Sequence, residues 1–202
     1  MANGHSHESL IQTAGARIAD WVVTHDGDNA QNPIVIGLVG NGHNGADVLA
    51  AFNHLPRQYR RYAYFLCKPS KSAQKQIDSG QITRLHQVTD MPSSGIVLDG
   101  FFGVGLNRPL AGDMAQIISA INSLNRYVVA IDVPSGLHEA WDGPCITASV
   151  TLSMMFSKQV FLNPQKRAKC GTIYVLNFDL NNRDKNGYHF PKTIDKYREL
   201  VL

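Results

Sequence analysis

The stretch GNGHNGAD, Gly40 to Asp47, follows a continuous apolar run, Ile34 to Val39. Its three glycines have the spacing G-x-G-x-x-G, and small residues after a strand let backbone N–H groups approach a ligand closely. Such a loop can bind a phosphate, a hydroxyl, an amide or a cation, or it can be a tight turn. The spacing alone does not choose among these alternatives.

Two further segments join a carboxylate to small residues: DGFFGVG, Asp99 to Gly105, and DVPSG, Asp132 to Gly136. Like the glycine loop, each follows a predicted buried strand. Ligands of open parallel sheets bind beyond the carboxyl ends of the strands. We therefore expect the three loops to lie on one rim of the sheet and to form one site.

A dinucleotide-binding Rossmann site requires an acidic residue about 20 positions after the glycines, where it holds the ribose hydroxyls. The corresponding segment, RRYAYFLCKPSK, is basic. Its cations could accommodate a phosphorylated ribose; they are Arg60, Arg61, Lys68 and Lys71. Asp47 is predicted in the first turn of the next helix, where its charge would repel a pyrophosphate. The loop therefore suits hydroxyls, an amide or a cation better than a pyrophosphate.

Asp99 and Asp132 are both predicted where strands end at the rim. Two carboxylates brought together raise the pKa of one of them or recruit a positive ion. Side-chain oxygens of Asn44, Asp99 and Ser135 would suit a hard cation. The alternative is that these residues only make caps and turn hydrogen bonds.

The loops depend on an alternation of strands and helices along the chain. Strands are predicted at 34–39, 61–67, 95–100 and 127–133, with two more within 146–154 and 172–178. Helices are predicted at 10–22 behind a cap at Ser9, at 46–55 and at 114–124, with helical or irregular pieces at 70–79 and 81–87 and a short helix at 194–200. This alternation predicts a doubly wound α/β domain with helices on both faces of a parallel sheet.

Composition narrows the class of protein. A chain of 202 residues with 44% hydrophobic residues predicts one domain, with a core at about 9–180 and a polar tail at 181–202. No apolar run approaches the roughly 20 residues of a membrane span, and no signal peptide is recognisable, so a cytoplasmic location is expected. With a net charge of +3 and no basic block, nucleic acid is not an expected partner. Three widely spaced cysteines predict reduced packing residues.

Taken together, the three loops are similar to a known family. GNGHNGAD resembles the G-x-G-N-N-G-G-D loop, LDGFFGVGLNRPL the D-A-L-F-G-T-G-L segment, and AIDVPSGLHEAWDG the A-I-D-I-P-S-G-L…G segment of the YjeF N-terminal domain, the NAD(P)H-hydrate epimerases. The order and the intervals also agree. Lys158 and Gly171 match the closing strands, so the resemblance covers roughly residues 10–180.

This resemblance implies a Rossmann-like three-layer αβα sandwich with a mostly parallel sheet. It implies an isomerase that interconverts the R and S epimers of hydrated NADH or NADPH (NADHX and NADPHX) during cofactor repair. It further implies a potassium ion held by Asn44, Asp99 and Ser135. The implied substrate contacts are His43, Asn44, Gly45, Ala46, Asp47, Gly103, Val104, Gly105, Leu106, Asn107, Arg108, Pro109 and Asp132.

Epimerisation at a carbon that carries a hydroxyl beside a ring nitrogen needs a group that gives and takes protons, and a positioned carboxyl serves as a general acid–base. We predict Asp132 as this catalytic residue. The amides of 103–105 would orient the ligand, with Arg108 as a charge partner for its phosphates. Lys158 could also act, although a lysine beside a strand more often extends to water.

The sequence departs from the family pattern in three places. His43 and Ala46 replace an asparagine and a glycine of the first loop, and LHEAWD replaces an acidic, Thr-containing stretch after PSG. The longer N-terminal helical segment that contributes to dimer contacts and to the edge of the site in the family is short or missing here, and a homodimer is left open. The chain ends about 20 residues after the last predicted strand, so we expect the companion dehydratase to be a separate protein.

Other readings compete with an epimerase. One is a non-catalytic nucleotide- or RNA-related binding module of the same fold, since related domains serve as scaffolds in RNA-decay proteins. Another is a short-chain dehydrogenase, whose Tyr-x-x-x-Lys pair occurs twice, as Tyr64/Lys68 and Tyr188/Lys192. A hydrolase is disfavoured because no G-x-S-x-G elbow occurs. His5 and His7 are interpreted as solvated residues at a frayed terminus.

Overall fold

The computed structural model describes residues 6–26, 33–178 and 197–200. The strands are β1 Ile34–Val39, β2 Arg60–Phe65, β3 Thr83–Leu85, β4 Ile96–Gly100, β5 Tyr127–Ile131, β6 Val150–Met154, β7 Thr172–Leu176 and β8 Tyr197–Glu199. The helices are α1 His7–His25, α2 His43–His54, α3 Lys71–Asp78, α4 Asp113–Ser123 and α5 Pro164–Arg167, with short 3-10 helices at Val88–Asp90 and Gln159–Leu162. None of the helices in these ranges is long and apolar enough to cross a membrane.

The described strands form one sheet in the order β3-β2-β1-β4-β5-β6-β7-β8. Every neighbouring pair is parallel except β7 and β8, which are antiparallel. The chain winds from β1 to one side of the sheet and then returns to place β4 on the other side of β1. Loops leaving β1 and β4 therefore diverge, and this opens a crevice at the carboxyl ends of these two strands.

Both faces of the sheet are covered, as the continuous apolar strands predict. In β1, Val35 and Val39 pack in a core with α1 and α2, whereas Ile36 and Leu38 pack in a second core with Ile118 of α4. The alternation follows from the two-residue period of a strand. The structure thus confirms the predicted three-layer α/β sandwich with a mostly parallel sheet.

Helix α1 packs closely on α2. A Cβ on Gly15 would lie 2.5 Å from the Cβ of Ala50, so a glycine is needed at this crossing. The helix begins three residues before the predicted start, because the side chain of Ser6, and not that of Ser9, is the N-cap that accepts from a helical N–H. The longer helix reaches the carboxyl end of the sheet.

Two of the predicted helical pieces are wrong. The segment predicted as helical or irregular at 81–87 contains the edge strand β3, which pairs with β2 over three residues. The predicted helix at 194–200 contains β8, which pairs with β7; positions 194–196 lie outside the described residues. Both strands are too short to show a two-residue period, and backbone pairing at a sheet edge outweighs their weak helical pattern.

Candidate active site

A cleft of about 1060 Å³ lies at the carboxyl end of the sheet, over the crevice between β1 and β4. Most of its walls come from the first turns of α1, the loop from β1 into α2, the loop after β4, and the segments after β5 and at the end of β6. Further lining residues are Leu66 and Cys67 after β2, Met114 of α4 and Phe178 after β7. All three loops predicted from the sequence reach this rim. The chemistry of the cleft therefore depends on how they contact one another.

The first glycine of the loop after β1 is a packing residue. The N–H of Gly40 donates to the carbonyl of Gly100 at 3.1 Å, and a Cβ on Gly40 would overlap the carbonyl oxygen of Phe101. Gly45 plays a similar part, since its Cβ would overlap the carbonyl oxygen of Gly40. By contrast, a Cβ on Gly42 would meet no atom within 4 Å. The fingerprint spacing thus reflects backbone crossing at Gly40 and Gly45 and open space at Gly42.

Asn44 joins the ends of two neighbouring strands. It lies in the first turn of α2, and its Nδ2 donates to the carbonyl of Ile131, the last residue of β5, at 2.6 Å. On its other side, a Cβ on Gly103 would lie 2.6 Å from the Asn44 Oδ1. The absence of a side chain at Gly103 therefore lets the loop after β4 rest against this amide.

Asp99 and Ser135 form a buried hydrogen-bonded pair, each with 0% exposure. The Ser135 hydroxyl donates to Asp99 Oδ1 at 2.6 Å, and the Ser135 N–H donates to Oδ2 at 2.8 Å. Burial raises the pKa of Asp99 to about 6, although hydrogen bonds from Ser135 and Phe101 oppose the shift. The two loops that follow β4 and β5 are thereby held together beneath the cleft.

Asp99 and Ser135 present oxygen atoms, the donor type that hard cations prefer. None of the ion pairs among the described residues includes Asp99, so its buried carboxylate has no protein cation beside it there. Ser135 already accepts from the Phe102 N–H at 2.9 Å, which fixes its oxygen near the loop after β4. Residues 6–26, 33–178 and 197–200 contain no cluster of three or more His, Cys, Asp or Glu that could hold a metal ion. Oxygen donors of this kind differ from the nitrogen and sulfur ligands that zinc prefers.

Asp132 follows β5 with a left-handed backbone, φ 70°, which non-glycine residues seldom adopt. Its Oδ1 lies 3.0 Å from the ammonium of Lys158 and accepts from the Met154 N–H at 3.3 Å. Lys158 also donates to the carbonyl of Met154 at 2.9 Å and its side chain is only 19% exposed. Of the two interpretations of Lys158, extension to water is wrong; the ammonium is directed at Asp132.

Asp47 faces the same cleft with 8% exposure. Because α2 begins at His43, three residues before the predicted start, Asp47 lies beyond its first turn, so the predicted placement at the helix terminus is wrong. Burial, and to a lesser extent the charge of Asp132, raises the pKa of Asp47 to about 7. The cleft therefore holds two carboxyl groups in unlike surroundings: Asp132, which is paired with Lys158, and Asp47, whose pKa is raised.

The raised pKa of Asp47 predicts a pH-dependent stability. The folded state binds this proton more tightly than the unfolded chain, so the stability that the protonated group contributes is complete below about pH 4 and is lost as the pH rises through about 7. Asparagine does not ionise, so the Asp47→Asn variant should not lose this stability as the pH rises. We expect the variant to exceed wild type by up to about 4 kcal/mol in free energy of unfolding at pH 8 and to match it closely at pH 4, as measured by urea unfolding. An equal difference at both pH values would refute this.

The family model described as YjeF-related protein N-terminus matches residues 7–160. The chain belongs to this family. Its relatives include an NAD(P)H-hydrate epimerase of Bordetella parapertussis, 33% identical over 83% of this chain and 78% of that protein. They also include a bifunctional NAD(P)H-hydrate repair enzyme Nnr of Thermosynechococcus vestitus, 31% identical over 85% of this chain; the chain spans only 35% of that relative's length.

A solved structure agrees with the fold of this YjeF-related domain. The crystal structure of yeast ynu0 superposes with a TM-score of 0.72 over 98% of this chain and 91% of the yeast chain. The sequence identity is 19%, so the comparison concerns the fold.

Most of the substrate-binding residues predicted for this YjeF-related domain line the cleft: His43, Asn44, Asp47, 103–109 and Asp132. Gly45 and Ala46 do not line it. Gly45 packs against Gly40, and Ala46 continues the helix with its N–H donating to the Gly42 carbonyl at 3.2 Å. Ala46 is helical, so this position does not need the freedom of a glycine. Asp99 and Ser135 lie beneath the cleft and do not line it.

Sequence reasoning missed the wall formed by α1. The side chains of Leu10, Ile11 and Ala14 line the cleft, and the ring of His7 lies 4.3 Å from that of His43 between centroids. His7 is exposed, in agreement with its interpretation as a solvated residue, but it begins α1 and so does not lie at a frayed end; His5 lies outside the described residues. The helical spacing of apolar residues in α1 predicts an apolar face. It does not indicate which end of that face reaches the cleft.

The LHEAWD stretch, which departs from the YjeF pattern, forms a packed loop of its own. The rings of His138 and Trp141 stack with centroids 3.6 Å apart. The ammonium of Lys166 in α5 donates to the backbone carbonyl of His138 at 2.5 Å and to that of Trp141 at 2.7 Å. No residue of this stretch lines the cleft, so its altered sequence does not change the walls of the site.

Proposed function

We propose that this protein is an NAD(P)H-hydrate epimerase that interconverts the R and S epimers of hydrated NADH and NADPH. The observation that carries the proposal is the pairing of Asp132 with Lys158 inside a large cleft of a YjeF-related domain. Relatives named as NAD(P)H-hydrate epimerases, of which this chain covers up to 83%, support it.

The size and lining of the cleft suit a dinucleotide. Its volume, about 1060 Å³, is at the upper end for small-molecule sites, which range from roughly 300 to 1,000 Å³. Side chains of Leu10, Ile11, Phe102 and Met114 supply apolar surface for flat rings. Arg108 on the same wall supplies a cation for phosphate oxygens.

The chemistry requires a proton to be exchanged at the hydroxyl of the ring carbon beside the nitrogen. Asp132 can accept and return this proton, because its carboxyl group lines the cleft and is held in place by the ammonium of Lys158 at 3.0 Å and by the Met154 N–H at 3.3 Å. Lys158 is a positioning residue in this scheme. Together the two side chains place a charged acceptor at the end of β5, where the three loops meet.

The direct test is to incubate the purified protein with the R epimer and to follow the S epimer by chromatography, after subtraction of the conversion in buffer. We expect conversion well above the buffer rate. Nucleotide binding without conversion would refute the enzyme and favour the non-catalytic binding module.

We further propose that Asn44, Asp99 and Ser135 hold a potassium ion, which would help to place the substrate. The buried carboxylate of Asp99 and the fixed oxygen of Ser135 support this. We expect a higher melting temperature and faster epimerisation in potassium chloride than in choline chloride at equal ionic strength. Both responses should disappear in Asp99→Asn and persist in Asp78→Asn, an exposed control on α3. Equal melting temperatures of wild type in the two salts would contradict the site.

A dehydratase partner is proposed on similar grounds. One relative is named as a bifunctional NAD(P)H-hydrate repair enzyme, and this chain matches 35% of it. A companion enzyme that consumes one epimer would then act beside this one. The cytoplasmic location and the homodimer stay predictions.

A further inference from the structure

Two carboxylates face the cleft, and their surroundings differ. Asp132 has the ammonium of Lys158 at 3.0 Å and the N–H of Met154 at 3.3 Å. Among the described residues, the carboxyl group of Asp47 has neither an ion pair with a cationic side chain nor a hydrogen bond from a backbone N–H. Asp47 is nevertheless almost as buried, at 8% exposure against 7% for Asp132.

When two neighbouring carboxyl groups have different surroundings, their pKa values are driven apart. Lys158 stabilises the anion of Asp132, while burial and the Asp132 charge favour the neutral form of Asp47. The pKa of Asp47 is accordingly raised to about 7. One cleft thus contains a carboxyl group paired with an ammonium and a second one whose pKa is raised, an asymmetry that suits a proton acceptor and a proton donor in acid–base catalysis.

Other titratable and charged groups on the cleft are few. His43 precedes Asp47 by about one turn on α2, and His7 of α1 contacts the ring of His43. Arg108 lies on the loop after β4, and Lys158 is engaged with Asp132. Both imidazole rings are exposed, so they are poorly placed to stabilise a buried Asp47 carboxylate.

We propose that Asp47 is a second catalytic residue, the proton donor to the hydroxyl that leaves the substrate, with Asp132 as the proton acceptor. This assignment rests on the proposed epimerase function and extends it from one acid–base group to two. Residues that were expected only to bind the substrate would then include the donor.

The step balances in atoms and electrons. Asp47 gives its proton to the hydroxyl, the C–O bond breaks, and water leaves with the bonding pair while the ring nitrogen lone pair forms a C=N bond. Water then adds to the other face of that carbon, the C=N pair returns to nitrogen, and Asp132 takes the released proton. Exchange with solvent in the open cleft then removes the proton from Asp132 and restores one to Asp47, so both residues return to their starting states. No oxidant or reductant is needed.

The test is the Asp47→Asn variant, assayed for conversion of the R epimer across pH. Asparagine keeps the shape of a neutral carboxyl group but cannot donate an acidic proton. We expect kcat to fall by about 10²-fold with KM within about threefold of wild type. Wild-type kcat should fall as the pH rises above about 7, and this alkaline limb should be absent from the variant.

Each outcome decides the assignment. Asp78→Asn, an exposed substitution on α3, controls for a general effect of losing a carboxylate, and thermal unfolding of each variant controls for folding. A variant with wild-type kcat, one that raises only KM, or one that keeps the alkaline limb would overturn the role of Asp47 while leaving the epimerase intact. Absence of conversion by wild type would instead refute the proposed function, and this assignment with it.

Discussion

Asp132→Asn lowers the kcat for epimerisation by about 10² to 10⁴-fold, the range expected when a general acid–base group is lost. Asparagine has nearly the same shape as aspartate but cannot take up a proton from the substrate or from water. The amide also leaves the Lys158 ammonium, 3.0 Å from the carboxylate in wild type, without its counterion. The loss should therefore appear in kcat and in kcat/KM alike.

The measurement is chromatographic conversion of the R epimer by wild type and variant at equal concentration. Asp78→Asn is the matched control, since it removes an exposed carboxylate from α3, outside the cleft, and should leave the rate unchanged. Unchanged conversion in Asp132→Asn, with a melting temperature near that of wild type, would remove Asp132 from the chemistry.

Gly40→Ala should destabilise the protein by about 3 kcal/mol, toward the upper end of the usual range for overpacking. The added methyl group would overlap the backbone carbonyl of Phe101, and backbone at the crossing of two buried loops cannot move aside cheaply. Gly42→Ala should cost less than about 1 kcal/mol, because its Cβ enters open space and only the helix N-cap preference changes.

Urea unfolding of the two variants tests this difference within one sequence motif. The prediction is a large loss of stability in Gly40→Ala and a small one in Gly42→Ala. Equal stability of the two variants would mean that the glycines do not have the separate roles assigned to them, one in backbone crossing and one at the open helix start.

The strands that lie in the middle of the sheet could be predicted from the sequence. Ile34–Val39 was predicted with its observed bounds because a strand covered on both faces must be continuously apolar. The edge strands β3 and β8 could not be predicted, since each is three residues long and depends on pairing with a neighbour. Sequence patterns report burial over many residues and carry little information on such short edges.

The meeting of the three loops could be predicted because parallel strands place all their carboxyl ends on one rim. The partners of individual side chains could not. The pairing of Asp132 with Lys158 depends on how the chain turns after β6, and the position of Asp47 depends on where α2 begins. The polar segment His43-Asn44-Gly45 hides that start from a search for apolar periodicity. The roles assigned to these residues stay predictions.

The most direct test of the central claim, that the three loops build one substrate site, is a crystal structure with the hydrated cofactor bound. We expect the ring carbon that carries the hydroxyl to lie between Asp47 and Asp132, with the hydroxyl within about 3.2 Å of a carboxyl oxygen of one of them. A cofactor bound elsewhere on the chain, or one in the cleft with its ring remote from both carboxyl groups, would contradict it.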